Sequence, residues 1–220
     1  MKASTHRMLV TSHPMRRVFV FSLVVRFFHW INAGAILVLA VTGFIIGNPP
    51  AILASHEAYA GYWFGMVRYI HFVTAYIFLF NLLVRIYWMF AGNRFEKWNN
   101  FVPSSTAFMR EMWEVIKIDI LQLRSKHIVS IGHNALAGLS YFFLFLLMIA
   151  QTITGFGLYE AMSDSWIAGL FSWVVPLFGS DLEVRFWHHL LMWAFVLFTM
   201  VHIYLVFYHD YVEGRGEVSS

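Results

Sequence analysis

Four apolar stretches, each close to or longer than the ~20 residues a helix needs to cross a bilayer, constrain this chain more than any other feature. They run roughly from Arg26 to Gly47, Ile70 to Ala91, Asn134 to Tyr159 and Phe186 to Tyr208. In hydrocarbon every backbone N–H and C=O must be paired within the protein, which leaves only helices and closed barrels as spanning structures. Barrel strands alternate apolar and polar residues; these runs are continuous, so they predict helices. Of the 220 residues 60% are hydrophobic and 12% charged, against about a quarter charged in soluble domains. Such a chain lacks the polar surface to face water on all sides. The fold expected is all-α: one integral membrane four-helix bundle occupying residues 1–220.

Charge sets the expected orientation. Lys2, Arg7, Arg16 and Arg17 precede the first span with no acidic residue among them, and the second connection, residues 92–133, carries Arg94, Lys97, Arg110, Lys117, Arg124 and Lys126. The first connection (48–62) has no Lys or Arg, and the third sets Arg185 against Glu160, Asp164, Asp181 and Glu183. Because basic loops stay in the cytoplasm, both termini and the second connection are expected there. The other two connections then face the periplasm of a bacterial host, across its inner membrane. Arg16-Arg17-Val18-Phe19 has a faint likeness to a twin-arginine export signal; basic residues retaining the N-terminus are the better reading. Within the second connection, Met109, Met112, Trp113, Ile116, Ile120 and Leu123 recur at helical spacing. They predict an amphipathic helix over 108–126, lying on the membrane or packed on another subunit.

Composition excludes several function classes. There is no cysteine, hence no disulfide, thiolate metal site, iron–sulfur cluster or covalent c-type haem. The pI near 9.2 reflects basic loops beside apolar spans and does not imply a nucleic-acid partner. No phosphate loop, nucleophile triad or zinc motif is present, which argues against independent enzymatic chemistry.

Histidine carries the functional signal. Of eleven, His6, His13 and His56 fall in polar segments, and His127, His133 and His209 near the ends of spans. His29, His71, His188 and His202 lie within the apolar spans, where ionisable groups are costly, face the bundle interior and mark function. His188 and His202 are 14 residues apart, which on a helix brings them within about 40° of one face and separates them by roughly 21 Å. His189 points about 140° away from His202 at the same helical pitch, so His188 is the ligand expected and His189 the bystander. With the helix directions above, His71 is level with His188 near the periplasmic surface and His29 with His202 near the cytoplasmic surface. Two depth-matched imidazole pairs inside a bundle suit b-type haem, one or two groups. Six-coordinate iron between two imidazoles has no open position for oxygen, which favours electron transfer.

Arginine supports the same reading. Arg26, Arg68 and Arg185 each stand three residues before His29, His71 and His188. A guanidinium fork suits haem propionates, while plain snorkelling to the interface explains the three equally well. Arg85, 14 residues past His71, falls inside the second span and requires a partner there; a propionate or a quinone oxygen would serve. A short internal echo, Thr42-Gly43-Phe44 and Thr154-Gly155-Phe156, either records a duplicated helix pair or is coincidence with glycine packing. Gly34 and Gly138 leave room for a flat macrocycle or for close helix contact.

Longer motifs point to a family. VRFFHWIN around His29, VRYIHF around His71, LLVRIYWMFAGNRF around Arg85, IGHN at His133, ITGFGLY from Ile153, and FWHHLLMW through VHIY at His188 and His202 make the chain resemble the b-type cytochrome subunit of membrane-bound nickel–iron hydrogenases. The likeness covers nearly the whole length. It implies a complex in which periplasmic large and small subunits oxidise hydrogen. This chain would take the electrons through b-type haem to the quinone pool, with His29, His71, His188 and His202 as haem ligands. Cytochromes of formate dehydrogenases share the four-helix layout and are the nearest alternative. A haem-free membrane anchor or transporter using the histidines as proton relays is the alternative from another class.

Overall fold

The computed structural model describes residues 22–50, 61–93, 96–98, 102, 109–110, 113–114, 117 and 135–211. His6, His13, His56, His127, His133, Arg16 and Arg17, together with most of the expected 108–126 helix, lie outside the described residues. Of that helix, Lys117 pairs with Glu114 at 3.5 Å and lies over the Trp113 ring at 5.4 Å.

The described residues are all-α. Four long helices, α1 (Leu23–Gly47), α2 (Trp63–Ala91), α3 (Ala135–Glu160) and α6 (Asp181–Tyr211), are joined after α3 by two short ones, α4 (Trp166–Gly169) and α5 (Val174–Phe178). All four long helices are apolar and long enough to span a bilayer. Three of them begin earlier than hydropathy suggests, α1 at Leu23 rather than Arg26, α2 at Trp63 rather than Ile70 and α6 at Asp181 rather than Phe186. The reason at α6 is local. Ser180 Oγ accepts the Glu183 N–H at 3.2 Å, in the Ser-x-x-Glu spacing of a helix start, and Asp181 and Glu183 in the first turn complement the helix dipole. Just before it, Gly179 ends α5 with φ 88°, the left-handed conformation glycine adopts without penalty.

Polarity is inverted relative to a soluble bundle. Large apolar side chains face outward, among them Leu37, Phe90 and Leu197, while Asn32, Thr42, Asn81, Arg85, Thr152 and Thr154 are buried. With lipid as the solvent an exposed leucine costs nothing, and polar groups must find partners inside. Asn81 donates to the Phe28 carbonyl at 3.1 Å; Thr152 donates to the Met148 carbonyl at 2.8 Å. The apolar core draws on all four long helices through Phe28, Ala35, Phe78, Leu82, Met148 and Phe195. The most extensive helix contacts are α1 with α2 and α3 with α6, so the bundle is two hairpin-like pairs.

Beyond α2, Glu96 is only 2% exposed. It accepts from the Ser22 N–H, from Trp88 Nε1 at 2.9 Å and from the Asn93 N–H at 3.2 Å. One carboxylate thus ties the start of α1 to the end of α2. Burial pushes its carboxyl up, but the bonds from Ser22, Trp88 and Asn93 outweigh this and hold it below the ordinary value of 4.5.

Candidate haem sites

At one end of the bundle His71 of α2 and His188 of α6 line a common cavity of ≈ 350 Å³, within the size range of small-molecule and cofactor sites. Its walls are largely aliphatic and aromatic, including Leu39, Phe72, Tyr76 and Phe156, and Arg68 and Arg185 lie at its edge. Phe78 and Phe195 belong both to the cavity lining and to the core cluster, so the core forms its inner wall.

Each imidazole is held from the neighbouring helix. Thr42 Oγ1 lies 2.8 Å from His71 Nδ1, and Thr154 Oγ1 lies 2.9 Å from His188 Nδ1. Beside each threonine is a glycine facing the same ring. A Cβ on Gly43 would stand 3.3 Å from His71 Cε1, and one on Gly155 3.0 Å from His188 Cε1. Gln151 Nε2 approaches His188 Nε2 at 3.2 Å, while Gln151 Oε1 is buried without a hydrogen-bond partner. His189 also borders the cavity, but its Nδ1 is engaged by the Arg185 carbonyl at 2.8 Å and its other ring nitrogen abuts Gly47.

The other pair lies farther along the bundle. His29 of α1 and His202 of α6 have ring centres 6.2 Å apart and planes at 67°. Metal–imidazole bonds of about 2 Å place two rings facing across one ion roughly 6 Å centre to centre, so the spacing fits a shared axial pair. Both rings are exposed on the bundle flank. Trp30 meets His29 edge-on at 5.6 Å, and Phe198 stacks on His202 at 5.6 Å with planes 8° apart. Among the described residues no three His, Asp or Glu side chains converge as a protein-only metal centre would need. A pair of imidazoles instead suits an iron whose remaining four positions would be filled by a macrocycle.

The arginines divide. Arg68 reaches the Met162 sulfur at 3.0 Å and lies over Phe72 at 5.8 Å. Arg185 makes an exposed pair with Asp181 at 3.4 Å. Arg26 is exposed on α1. Arg85 is 5% exposed; it donates to the Tyr141 hydroxyl and lies over the Phe28 and Tyr141 rings at 5.7 and 5.2 Å. Tyr141 as its partner was not foreseen from sequence, nor was the part played by Gln151. The threonines were visible as the Thr-Gly-Phe echo, whose two copies prove to face equivalent histidines.

A membrane bundle with imidazole pairs at two levels of its last helix has the architecture of a membrane cytochrome. The sequence comparison makes this specific: the model of the prokaryotic cytochrome b561 family matches residues 20–220, and the chain belongs to that family, as an integral membrane protein of haem b type. Among its relatives is a protein of Cupriavidus necator named as a probable Ni/Fe-hydrogenase B-type cytochrome subunit, 41% identical, the match covering 96% of this chain and 87% of the relative. A protein of the same name from Azotobacter vinelandii is 38% identical, with 92% and 85% covered. The probable Ni/Fe-hydrogenase 1 B-type cytochrome subunit of Escherichia coli is 32% identical, with 92% and 87% covered.

Proposed function

We propose that this chain is the membrane anchor and electron-transfer subunit of a hydrogen:quinone oxidoreductase, carrying electrons from the small and large subunits of a nickel–iron hydrogenase through haem b to the quinone pool. The observation that carries the reading is the apolar cavity into which His71 and His188 project from different helices, with an arginine three residues before each. The names of the relatives supply the hydrogenase link. Bound between two imidazoles, haem supplies reversible one-electron chemistry with no coordination site left for oxygen.

In this reading His71 and His188 would hold one haem and His29 and His202 a second. Arg68 and Arg185, which line the cavity, would neutralise the propionates of the first, and Arg26 would serve the second. Apolar walls keep water from the first site and hold its ligands in a low-dielectric setting. Buried Arg85 places positive charge within the bundle near Phe28, the residue adjoining His29, where it stabilises an anionic propionate or a reduced quinone. Charge asymmetry of the connections puts the His71/His188 end at the periplasmic face of the inner membrane and both termini in the cytoplasm. The hydrogenase then docks over residues 48–62 and 159–185, whose acidic balance orients a basic or apolar donor surface.

Gentle detergent purification of the chain tests this. Copurification of a nickel–iron hydrogenase, with hydrogen reducing a low-spin haem b, is the expected result. Copurification of a formate-oxidising enzyme, with the haem reduced by formate and not by hydrogen, would replace the partner and leave the bundle standing.

A further inference from the structure

We propose that Thr42-Gly43 and Thr154-Gly155 are matched positioning elements that set the tautomer and ring orientation of His71 and His188 and lower the reduction potential of the haem they hold. The proposal rests on the assignment of that histidine pair as haem ligands. The Thr42 hydroxyl reaches the Val38 carbonyl at 2.6 Å, and the Thr154 hydroxyl reaches the Ala150 carbonyl at 2.8 Å. A hydroxyl has one hydrogen to give. With that hydrogen committed to the carbonyl one turn back, each Oγ1 can only accept from the imidazole nitrogen 2.8 or 2.9 Å away. Nδ1 therefore carries the proton in both rings. In a neutral imidazole this leaves the lone pair on Nε2, the nitrogen that would ligate iron; at His188 the Gln151 amide nitrogen, 3.2 Å from Nε2, would have to give way to it.

The glycines complete the device. Each follows its threonine by one residue, and the missing side chain lets the ring lie against the helix within hydrogen-bond reach of the hydroxyl. An added methyl would crowd His71 Cε1 at 3.3 Å and His188 Cε1 at 3.0 Å. Threonine and glycine together meet adjacent atoms of one ring, Nδ1 and Cε1. The arrangement occurs twice with the same logic, α1 holding a histidine of α2 and α3 holding a histidine of α6, the two most extensive helix pairs. Both Thr-Gly pairs thus face the two histidines of one cavity.

An acceptor on the distal N–H makes a ligating imidazole more basic, and a more basic ligand favours the oxidised iron. Among the described residues no hydrogen bond is made to the ring of His29 or His202, so the two ends of the bundle are tuned differently by the chain itself.

The test uses the full chain in its purified complex, with Thr42→Val, Thr154→Val, both together, and Thr→Ser at each position. Haem is quantified, each haem is titrated against potential, and the low-spin electron paramagnetic resonance signals are recorded. Each valine variant is expected to raise the potential of one haem, shift its g-values and weaken haem retention by roughly 10–100-fold. Serine, which keeps the oxygen, should restore all three, and the His29/His202 haem should not move. Gly155→Ala should displace the His188 ring and reproduce the spectral shift. Valine variants that assemble without haem beside serine variants that keep it also support the proposal. Unchanged potentials and g-values in both valine variants, or serine variants that behave as valine does, would overturn it. His71→Ala and His188→Ala run in parallel separate the two levels: if both retain the full haem complement, the ligand assignment has failed rather than the positioning role.

Discussion

The two ends of the bundle solve the same problem to different degrees. At one end His71 and His188 share a cavity, each ring fixed by a threonine and bordered by a glycine, with arginines at the rim. At the other, His29 and His202 stand 6.2 Å apart on an exposed flank, leaning on Trp30 and Phe198. The first pair is held by hydrogen bonds from neighbouring helices; the second is brought together by the packing of α1 beside α6, with no hydrogen bond to either ring among the described residues. A haem held at the first end would be bordered by the walls of that cavity, whereas one held at the second would lie at an exposed flank of the bundle, within reach of a lipid-soluble quinone. The difference suits an input site that must be matched to a donor and an output site that must be reached from the membrane.

The largest effect expected comes from removing a ligand at the first end. His71→Ala or His188→Ala should lose one low-spin haem and reduce hydrogen-dependent quinone reduction to background, while His189→Ala keeps the haem. Pyridine haemochrome quantitation with a redox spectrum measures this. Loss of haem in His189→Ala and retention in His188→Ala would invert the assignment. At the open end His202→Ala should also abolish quinone reduction, yet a dye that takes electrons from the soluble subunits should still be reduced by hydrogen. Full quinone reduction by this variant would mean that one haem suffices and that the comparison between the ends is one of cofactor against no cofactor.

A smaller effect is expected at the polar contact inside the bundle. Tyr141→Phe removes the hydroxyl to which Arg85 donates, and a hydrogen bond to a charged group contributes about 1.5–3 kcal/mol. Thermal unfolding in detergent should show that loss, and Arg85→Leu should in addition shift the potential of the His202 haem or slow the quinone step. If Arg85→Leu leaves both haem potentials and quinone reduction unchanged, its role is confined to packing.

The smallest effect is at Glu96, where pH separates electrostatics from packing. Its folded pKa lies below the ordinary 4.5, so the carboxylate stabilises the fold above that value and the contribution disappears as pH falls through the folded value. Glu96→Gln should lower stability by about 1–3 kcal/mol near neutrality. The gap to the parent protein should close in acid as the pH falls through the folded value. Unfolding temperatures taken across that range check it; a gap independent of pH would assign the loss to hydrogen-bond geometry rather than charge.

How much of this was legible in the linear chain follows from what each feature depends on. Membrane-length helices follow from hydropathy, because the bilayer penalises every unpaired backbone group and the penalty is summed locally along the chain. Helical phase is also local, so the 14-residue step from His188 to His202 could be read as one stripe before any fold was known. The start of α6 depended instead on Ser180 and Glu183 closing a cap, a signal hydropathy does not register among acidic residues. The partners of the buried groups were beyond reach for a different reason. Tyr141 is 56 residues from Arg85, and Thr154 is 34 from His188; which hydroxyl meets which ring depends on the rotation and depth of one helix against another. The Thr-Gly-Phe echo lay open to view, but three common residues acquire meaning only when packing sets both copies against the same kind of side chain. Sequence alone determined the spans, their polarity inversion and the stripe of histidines, since these rest on local free energies. Tertiary structure decided that one histidine pair is enclosed and held while the other is exposed, because enclosure is a property of four helices at once.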